Sequence, residues 1–250
     1  SYKSQVDSSF FFMHPEGKNN PLEEFKANWQ AFSGKAFRPG ENWHPQCSFP
    51  ARYALMKQWF PKTFVDATCQ DYQWWKQRLN TKSVSLVFSS YYPNNPASVF
   101  GHTLMKLNSQ ADSQENISDF SLNFSAQTAN EPGFLYIIKG VFGGFDGLFA
   151  TEPYYNKINN YGNAESRDLW EYLIDLTPAQ LDFLVAHIWE MKKYAVLDYY
   201  FFDENCSYIL LALLEAANTD WDLTSGYVVY VLPVDTVKRL KQVGAIKKKH

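Results

Sequence analysis

The sequence predicts an α+β protein in which a helical N-terminal portion precedes a region of strands. Two patterns indicate this: apolar residues recur at helical spacing before residue 80 and alternate in twos from Ser83 onward. A third observation is the almost wholly apolar segment that follows Cys206, which is typical of a buried helix. Because no linker or repeat divides the chain, we predict a single domain over residues 1–250.

Composition excludes several functional classes. Lys and Arg number 23 against 26 Asp and Glu, a formal charge of −3, so the chain lacks the positive field that collects nucleic acid. Aromatic residues make up 18% of the chain, which indicates a large core and a surface that could meet lipid or sugar. No run of about 18 apolar residues is present, so we expect no segment to span a bilayer. The start at Ser1, without an apolar leader, fits either a removed signal peptide or a trimmed N-terminus.

Local signals predict the helices. Thr177 and Pro178 supply an N-cap and a first-turn proline, and amphipathic spacing follows them. The predicted helices cover residues 22–32, 50–59, 66–79, 178–194 and 206–217, and a short one follows Pro233.

Strands are predicted where apolar residues alternate in twos. The expected strands cover residues 83–88, 102–107, 119–125, 134–138 and 169–176. The second and third should pair as a hairpin with a long turn. If Leu107 faces about Ile117 across that turn, His102 lies opposite Leu122 within a residue or two.

A glycine-rich aromatic loop is expected over residues 140–149. Its four glycines lack the Lys-Ser/Thr spacing of a phosphate loop, so we assign no nucleotide binding to it. One interpretation is a tight turn between strands. The other is an apolar lip beside a lipid site, with Phe142 and Phe145 contacting the substrate.

The three cysteines are an odd number, which in an oxidising compartment suggests one disulfide and one free thiol. Cys47 and Cys69 are 22 positions apart and each lies beside a predicted helix, so we pair them and leave Cys206 free. The alternative is three buried thiols in a cytosolic protein. Neither paired cysteines nor a His-x-x-x-His spacing occurs, and no metal site is predicted.

Cys206 is the candidate nucleophile. It lies in the first turn of a predicted helix, where unpaired N–H groups and the helix dipole lower the pKa of a thiol. A cysteine that merely begins a core helix is the alternative. His102 is the candidate base, because papain-like sites place the base on a strand that faces the thiol. Asn123, on the polar face of the neighbouring strand, is the candidate for orienting the imidazole.

Arg52 and a charged cluster at residues 165–168 allow two interpretations each. Arg52 could bind a phosphate headgroup or form an ion pair within the protein. The cluster could look catalytic, but paired charges near the start of a strand usually hold a loop, and we give it that role.

Two segments that contain the candidate nucleophile and base resemble a known family. Residues 95–103 and 201–208 closely resemble the periplasmic domain of the Lnb family of bacterial lipoprotein N-acyltransferases, as do residues 47–53, 139–144 and 165–172. Two further features resemble circularly permuted relatives of NlpC-type peptidases, which include lecithin:retinol acyltransferase. His102 precedes Cys206 in the chain, and Asn205 stands directly before Cys206. The resemblance implies a circularly permuted papain-like core whose antiparallel sheet packs on the Cys206 helix. Those relatives orient the base with a second histidine, but none occurs between His102 and His187, so Asn123 keeps that role.

The resemblance also implies a function. A fatty acyl chain would pass from a phospholipid or glycerolipid through a Cys206 thioester to the α-amino group of a lipoprotein's N-terminal diacylglyceryl-cysteine, with no cofactor. Beyond Cys206, the residues expected to contact substrate are Asn205, Arg52, Phe142 and Phe145. The alternatives are an NlpC-type peptidase or amidase acting on peptidoglycan, and a non-catalytic envelope binding domain.

The same resemblance implies a place in the cell and a division of the chain. The protein would be periplasmic, at the membrane surface and facing the inner membrane of a Gram-negative bacterium. Its helical portion would cover residues 1–80, its catalytic core residues 81–217 and its C-terminal extension, which a membrane anchor could follow, residues 218–250.

Overall fold

A seven-stranded antiparallel sheet organises the part of the chain that the structure describes, in the strand order β6-β4-β3-β2-β1-β5-β7. The structure is a computed structural model, and it describes residues 3–34, 44–89, 102–111, 116, 118–127, 144–158, 168–200, 206–225 and 233–249. The strands are β1 (Ser83–Ser89), β2 (His102–Asn108), β3 (Phe120–Ala126), β4 (Phe145–Pro153), β5 (Leu169–Ile174), β6 (Leu197–Tyr199) and β7 (Ile246–Lys249).

Most of the helices begin and end where local signals predict. Those expected at residues 22–32, 50–59, 178–194 and 206–217 are confirmed to within one residue. The Thr177 hydroxyl accepts a hydrogen bond from the backbone N–H of Gln180 at 3.3 Å, the N-cap contact that its position predicts. The helices are α1 (Pro21–Phe32), α2 (Pro45–Ser48), α3 (Pro50–Trp59), α4 (Gln70–Leu79), α5 (Tyr154–Ile158), α6 (Pro178–Tyr194), α7 (Cys206–Ala217) and α8 (Pro233–Gln242), and a 3-10 turn covers Ser9–Phe11.

The helix α4 begins four residues later than the predicted start at residue 66. The side chain of Gln46 holds the preceding segment in another conformation: its amide donates to the carbonyl of Val65 at 2.9 Å and accepts from the N–H of Ala67 at 2.8 Å. The Val65 carbonyl would be the first acceptor of a helix that began at residue 66, and here it accepts from the Gln46 side chain. The sequence pattern contains no sign of these bonds, because Gln46 is distant along the chain.

The hairpin of β2 and β3 is confirmed as antiparallel, but its predicted register is wrong. Leu107 pairs with Phe120, three residues beyond the expected partner, and the same register places His102 level with Ser125. The carboxylate of Asp119 accepts hydrogen bonds from the backbone N–H groups of Ser109 at 2.8 Å and Asn116 at 3.2 Å. These bonds satisfy N–H groups within the turn, so the ladder begins later than the sequence pattern suggests.

The loop interpretation of residues 145–149 is also wrong, because these residues open β4. Phe145 and Phe149 alternate inward and are buried, and β4 pairs with β3 from Gly147 to Pro153. Gly147 permits this packing, since a Cβ atom there would overlap the ring of Phe124. The strand expected at residues 134–138 lies outside the described residues.

The two faces of the sheet carry different side chains. The helix α7 packs against β2 and β3, and the Thr103 hydroxyl contacts the Ser207 hydroxyl on α7. Alternation along the strand therefore directs Met105 and Leu107 to the same helix, and both are fully buried. On the opposite face, Val87, Leu104 and Tyr154 form a buried cluster that Ile158 and Leu169 extend.

The chain forms two compact units. One contains residues 1–78 and 183–197, and the other contains residues 79–182 and 198–250. The first is helical and the second holds the sheet with α7 and α8. The single-domain interpretation and its division into residues 1–80, 81–217 and 218–250 stay predictions, because compactness alone does not establish which parts fold independently.

Candidate functional site

Cys206 and His102 meet although 104 positions separate them in the chain. Cys206 is the first residue of α7 and His102 the first residue of β2, and the packing of α7 on β2 brings these two ends together. The Sγ atom of Cys206 lies 3.2 Å from Nδ1 of His102. The distance is short enough for a hydrogen bond to sulfur and for proton transfer between the two groups.

The surroundings of Cys206 favour its thiolate. Burial by itself raises the pKa of the thiol, but the positive charge of His102, its hydrogen bond and the hydrogen bonds from Thr103 outweigh burial and lower the pKa to about 6. The thiol is therefore largely ionised at neutral pH, and a thiolate is the nucleophilic form of cysteine.

Thr103 is a member of the site that the sequence did not identify. Its hydroxyl is 3.8 Å from Cys206 Sγ and 3.1 Å from the Ser207 hydroxyl. Strand alternation assigns Thr103 and His102 to opposite faces, yet both contact Cys206, because α7 starts level with the first residues of β2. No local pattern distinguishes this threonine from any other strand threonine.

Asn123 is held by other groups in β3 and β4. Its amide nitrogen donates to Glu152 at 2.9 Å and to Ser121 at 3.3 Å. Its Oδ1 atom is buried and accepts no hydrogen bond from the part of the chain that the structure describes. Asn123 lies on the same side of the sheet as Leu104 by the strand register. Its expected contact with the His102 ring is not made here, and its orienting role stays a prediction.

Comparison with known families covers most of the chain. The model of the Lnb N-terminal periplasmic domain matches residues 70–243, which include both Cys206 and His102. The chain belongs to the Lnb family. A second family model, described as a domain of unknown function (DUF7843), matches residues 1–59. No curated protein and no solved structure matches the chain.

The Lnb domain is periplasmic, and the cysteines of the chain fit that oxidising location. Cys47 and Cys69 form a disulfide, as predicted, and Cys206 is the free cysteine. Within the described ranges, no helix has the length and apolar character that crossing a membrane requires. The same residues contain no group of three or more His, Cys, Asp or Glu side chains that could hold a metal ion.

Arg52 lies in the helical unit, within the residues that the DUF7843 model matches, and its guanidinium contacts two carboxylates. Its Nη1 atom is 3.0 Å from Glu24 and its Nε atom is 3.5 Å from the fully buried Glu190. The guanidinium also lies over the rings of Phe11 and Phe49, at 4.2 Å and 4.3 Å. These contacts correspond to the ion-pair interpretation of Arg52, and its substrate-binding role stays a prediction.

The other expected substrate contacts of the Lnb domain divide into two groups. Phe145 is 4% exposed at the start of β4. Asn205 and Phe142 lie outside the described residues. The substrate roles of all three stay predictions.

Proposed function

We propose that the Lnb domain is a thiol-dependent acyltransferase that carries a fatty acyl chain from a phospholipid or glycerolipid to a lipoprotein. The contact between Cys206 Sγ and His102 Nδ1 at 3.2 Å carries this proposal. A thiol whose pKa is lowered to about 6, beside an imidazole, is the arrangement that covalent acyl chemistry needs. We extend the proposal to the fold, as a circularly permuted papain-like (NlpC-type) core in which the base precedes the nucleophile.

The first half-reaction acylates the enzyme. His102 takes the proton of Cys206, and the thiolate attacks the ester carbonyl of the donor lipid. The tetrahedral intermediate places negative charge on the former carbonyl oxygen, which the backbone N–H of Cys206 at the first position of α7 can stabilise. Collapse breaks the ester C–O bond, the His102 imidazolium protonates the leaving alkoxide, and a lysolipid departs from the thioester.

The second half-reaction transfers the chain. The α-amino group of an N-terminal diacylglyceryl-cysteine attacks the thioester, and His102 accepts a proton from the nitrogen. The C–S bond breaks, an amide forms and the Cys206 thiolate is regenerated. Its partners are thus a phospholipid donor, a diacylated lipoprotein acceptor and the membrane surface that presents both.

Asn123 is proposed to orient the His102 ring. Its buried Oδ1 lacks a hydrogen-bond donor among the described residues, and such an atom is costly to leave unpaired. With Nδ1 of His102 directed at the sulfur, Nε2 is the ring nitrogen that would donate to Asn123 Oδ1 in this role.

The proposal is tested by isolating the thioester. Protein incubated with phospholipid vesicles and no amine should gain one fatty acyl mass on Cys206, and hydroxylamine should remove it. Cys206→Ala should abolish the adduct. His102→Ala should slow adduct formation by roughly a hundredfold, the usual effect of losing a general base. His14→Ala, which removes a histidine from the helical unit, is the matched control and should leave the rate unchanged.

The acceptor distinguishes acyl transfer from the competing functions. A diacylated lipopeptide with a free α-amine should discharge the adduct, whereas its N-acetylated form should not. Release of soluble muropeptides from peptidoglycan, without acylation, would instead identify a peptidase or amidase. Neither product, or an adduct of equal yield on the Cys206→Ala protein, would refute the proposal.

A further inference from the structure

The hydroxyl of Thr103 lies between the candidate nucleophile and a second buried hydroxyl. Its Oγ1 atom is 3.8 Å from Cys206 Sγ and 3.1 Å from Ser207 Oγ. Thr103 and Ser207 are both fully buried. Cys206 and Ser207 are consecutive in α7, so one threonine on β2 contacts both of the first two residues of the helix.

The direction of these hydrogen bonds depends on the charge of the sulfur. A thiolate accepts hydrogen bonds and donates none. When Cys206 is ionised, the Thr103 hydroxyl therefore donates to the sulfur, and the Ser207 hydroxyl must donate to Thr103. When the sulfur carries an acyl group its charge is gone, and the Thr103 hydroxyl can turn to Ser207 instead. The hydroxyl pair thus favours the reactive form of the cysteine specifically.

We infer that Thr103 is a further catalytic residue, whose hydroxyl donates to the Cys206 thiolate and is supported by the positioning residue Ser207. Its use in acyl transfer rests on the proposed function, but its effect on the thiolate does not. Thr103 complements His102, since the imidazole acts on the sulfur by charge and proton transfer while the hydroxyl remains neutral and keeps its proton throughout.

Other groups near the sulfur also raise or lower the pKa of the Cys206 thiol. His102, from β2, is the described titratable side chain that contacts the thiol. The helix α7 has no acidic residue in its first turn. Burial raises the pKa of Cys206, whereas His102 and both the backbone and the hydroxyl of Thr103 lower it. Without the Thr103 hydroxyl, His102 should therefore be the main group that lowers the pKa of Cys206 against the effect of burial.

The experiment titrates the thiolate without any lipid. Thiolate formation is followed by ultraviolet absorbance against pH, as the difference between each protein and its Cys206→Ser counterpart. Cys206 is the free cysteine, so the signal belongs to one group. Thr103→Val, which keeps the shape of the side chain, should move the midpoint upward by about one pH unit, as expected for losing a hydrogen bond to a charged group. Thr103→Ser should restore the midpoint.

Two further variants separate this role from packing. Ser207→Ala should raise the midpoint by less than Thr103→Val does, because the donor to Thr103 is lost while Thr103 remains. Thr151→Val removes a hydroxyl from β4 of the same sheet and should leave the midpoint unchanged.

An unchanged midpoint in a folded Thr103→Val protein would overturn the inference, and so would a Thr103→Ser protein that behaves like Thr103→Val. If Thr103→Val fails to fold, the Ser207→Ala protein decides the question. An unchanged midpoint of thiolate formation in that protein would then overturn the inference, because Ser207 would not support the Thr103 hydroxyl. Failure to find an acyl adduct would count against the proposed function only, because the titration uses no acyl donor.

Discussion

Lys106 and Glu171 form an ion pair inside the sheet unit. The Lys106 ammonium is 3.1 Å from the Glu171 carboxylate, and the Lys106 side chain is fully buried. Asp119 is a second carboxylate, 3.4 Å from the ammonium, and the ring of Tyr154 lies 5.0 Å away. Lys106 is on β2, the strand that begins with His102, so this ion pair connects β2 to β5 across the intervening strand β1.

Lys106→Met should therefore destabilise the protein strongly. The variant removes the buried ammonium and leaves the two carboxylates behind, and breaking a buried pair from one side costs about 3 to 5 kcal/mol of unfolding free energy. Urea denaturation would measure the loss. Lys238→Met is the matched control, because the Lys238–Asp235 pair is at the surface and should contribute less than about 1 kcal/mol. Equal losses in the two variants would contradict this account.

The pH dependence of acyl loading should follow the Cys206 thiol. With a pKa of about 6, the thiol is protonated and unreactive below that pH and ionised above it, so the loading rate should rise through pH about 6 and level off near neutrality. In His102→Ala, the loading rate should rise at a higher pH. Burial raises the pKa of the Cys206 thiol, and the variant lacks the imidazole that lowers it. Adduct mass measured against time across this range provides the rates. A profile with the same midpoint in both proteins would show that His102 does not set the thiol's ionisation.

Loss of the Cys47–Cys69 disulfide should lower stability. The bridge joins residues 22 positions apart, and the chain-entropy estimate for a loop of that size is about 3 kcal/mol. Cys47→Ser with Cys69→Ser should unfold at a lower temperature than the parent protein, and reductant should lower the parent's unfolding temperature but not that of the double variant. Cys206→Ser, which keeps the bridge, is the control and should respond to reductant like the parent.

Gly147→Ala should destabilise the sheet, because the added methyl group would overlap the Phe124 ring. Overpacking of a fully buried ring costs about 1 to 3 kcal/mol of unfolding free energy. Combining Gly147→Ala with Phe124→Leu should cost less than the sum of the single changes, because the smaller side chain makes room. Urea denaturation of the three proteins measures this coupling, and strict additivity would exclude the overlap as the cause.

Elements with strong local signals were predictable from the sequence. The start of α6 follows from Thr177 and Pro178, and the start of α7 from the apolar run after Cys206. The strand β7, by contrast, has three consecutive lysines that do not alternate in character, and it becomes a strand by pairing with β5. Pairing between distant segments leaves no local pattern, so the order of the strands could not be predicted.

The candidate site divides in the same way. The sequence by itself determined that Cys206 opens an apolar helix, that His102 opens a strand and that Cys47 and Cys69 were the natural disulfide pair, because these inferences need only neighbouring residues and the number of cysteines. Only the tertiary structure decided that the thiol and imidazole lie 3.2 Å apart, that the Thr103 hydroxyl contacts the thiol and that Asn123 donates to Glu152. Those contacts depend on strand register and on the packing of α7 against β2, and the pKa of Cys206 depends on both burial and contacts between residues that are remote in the chain.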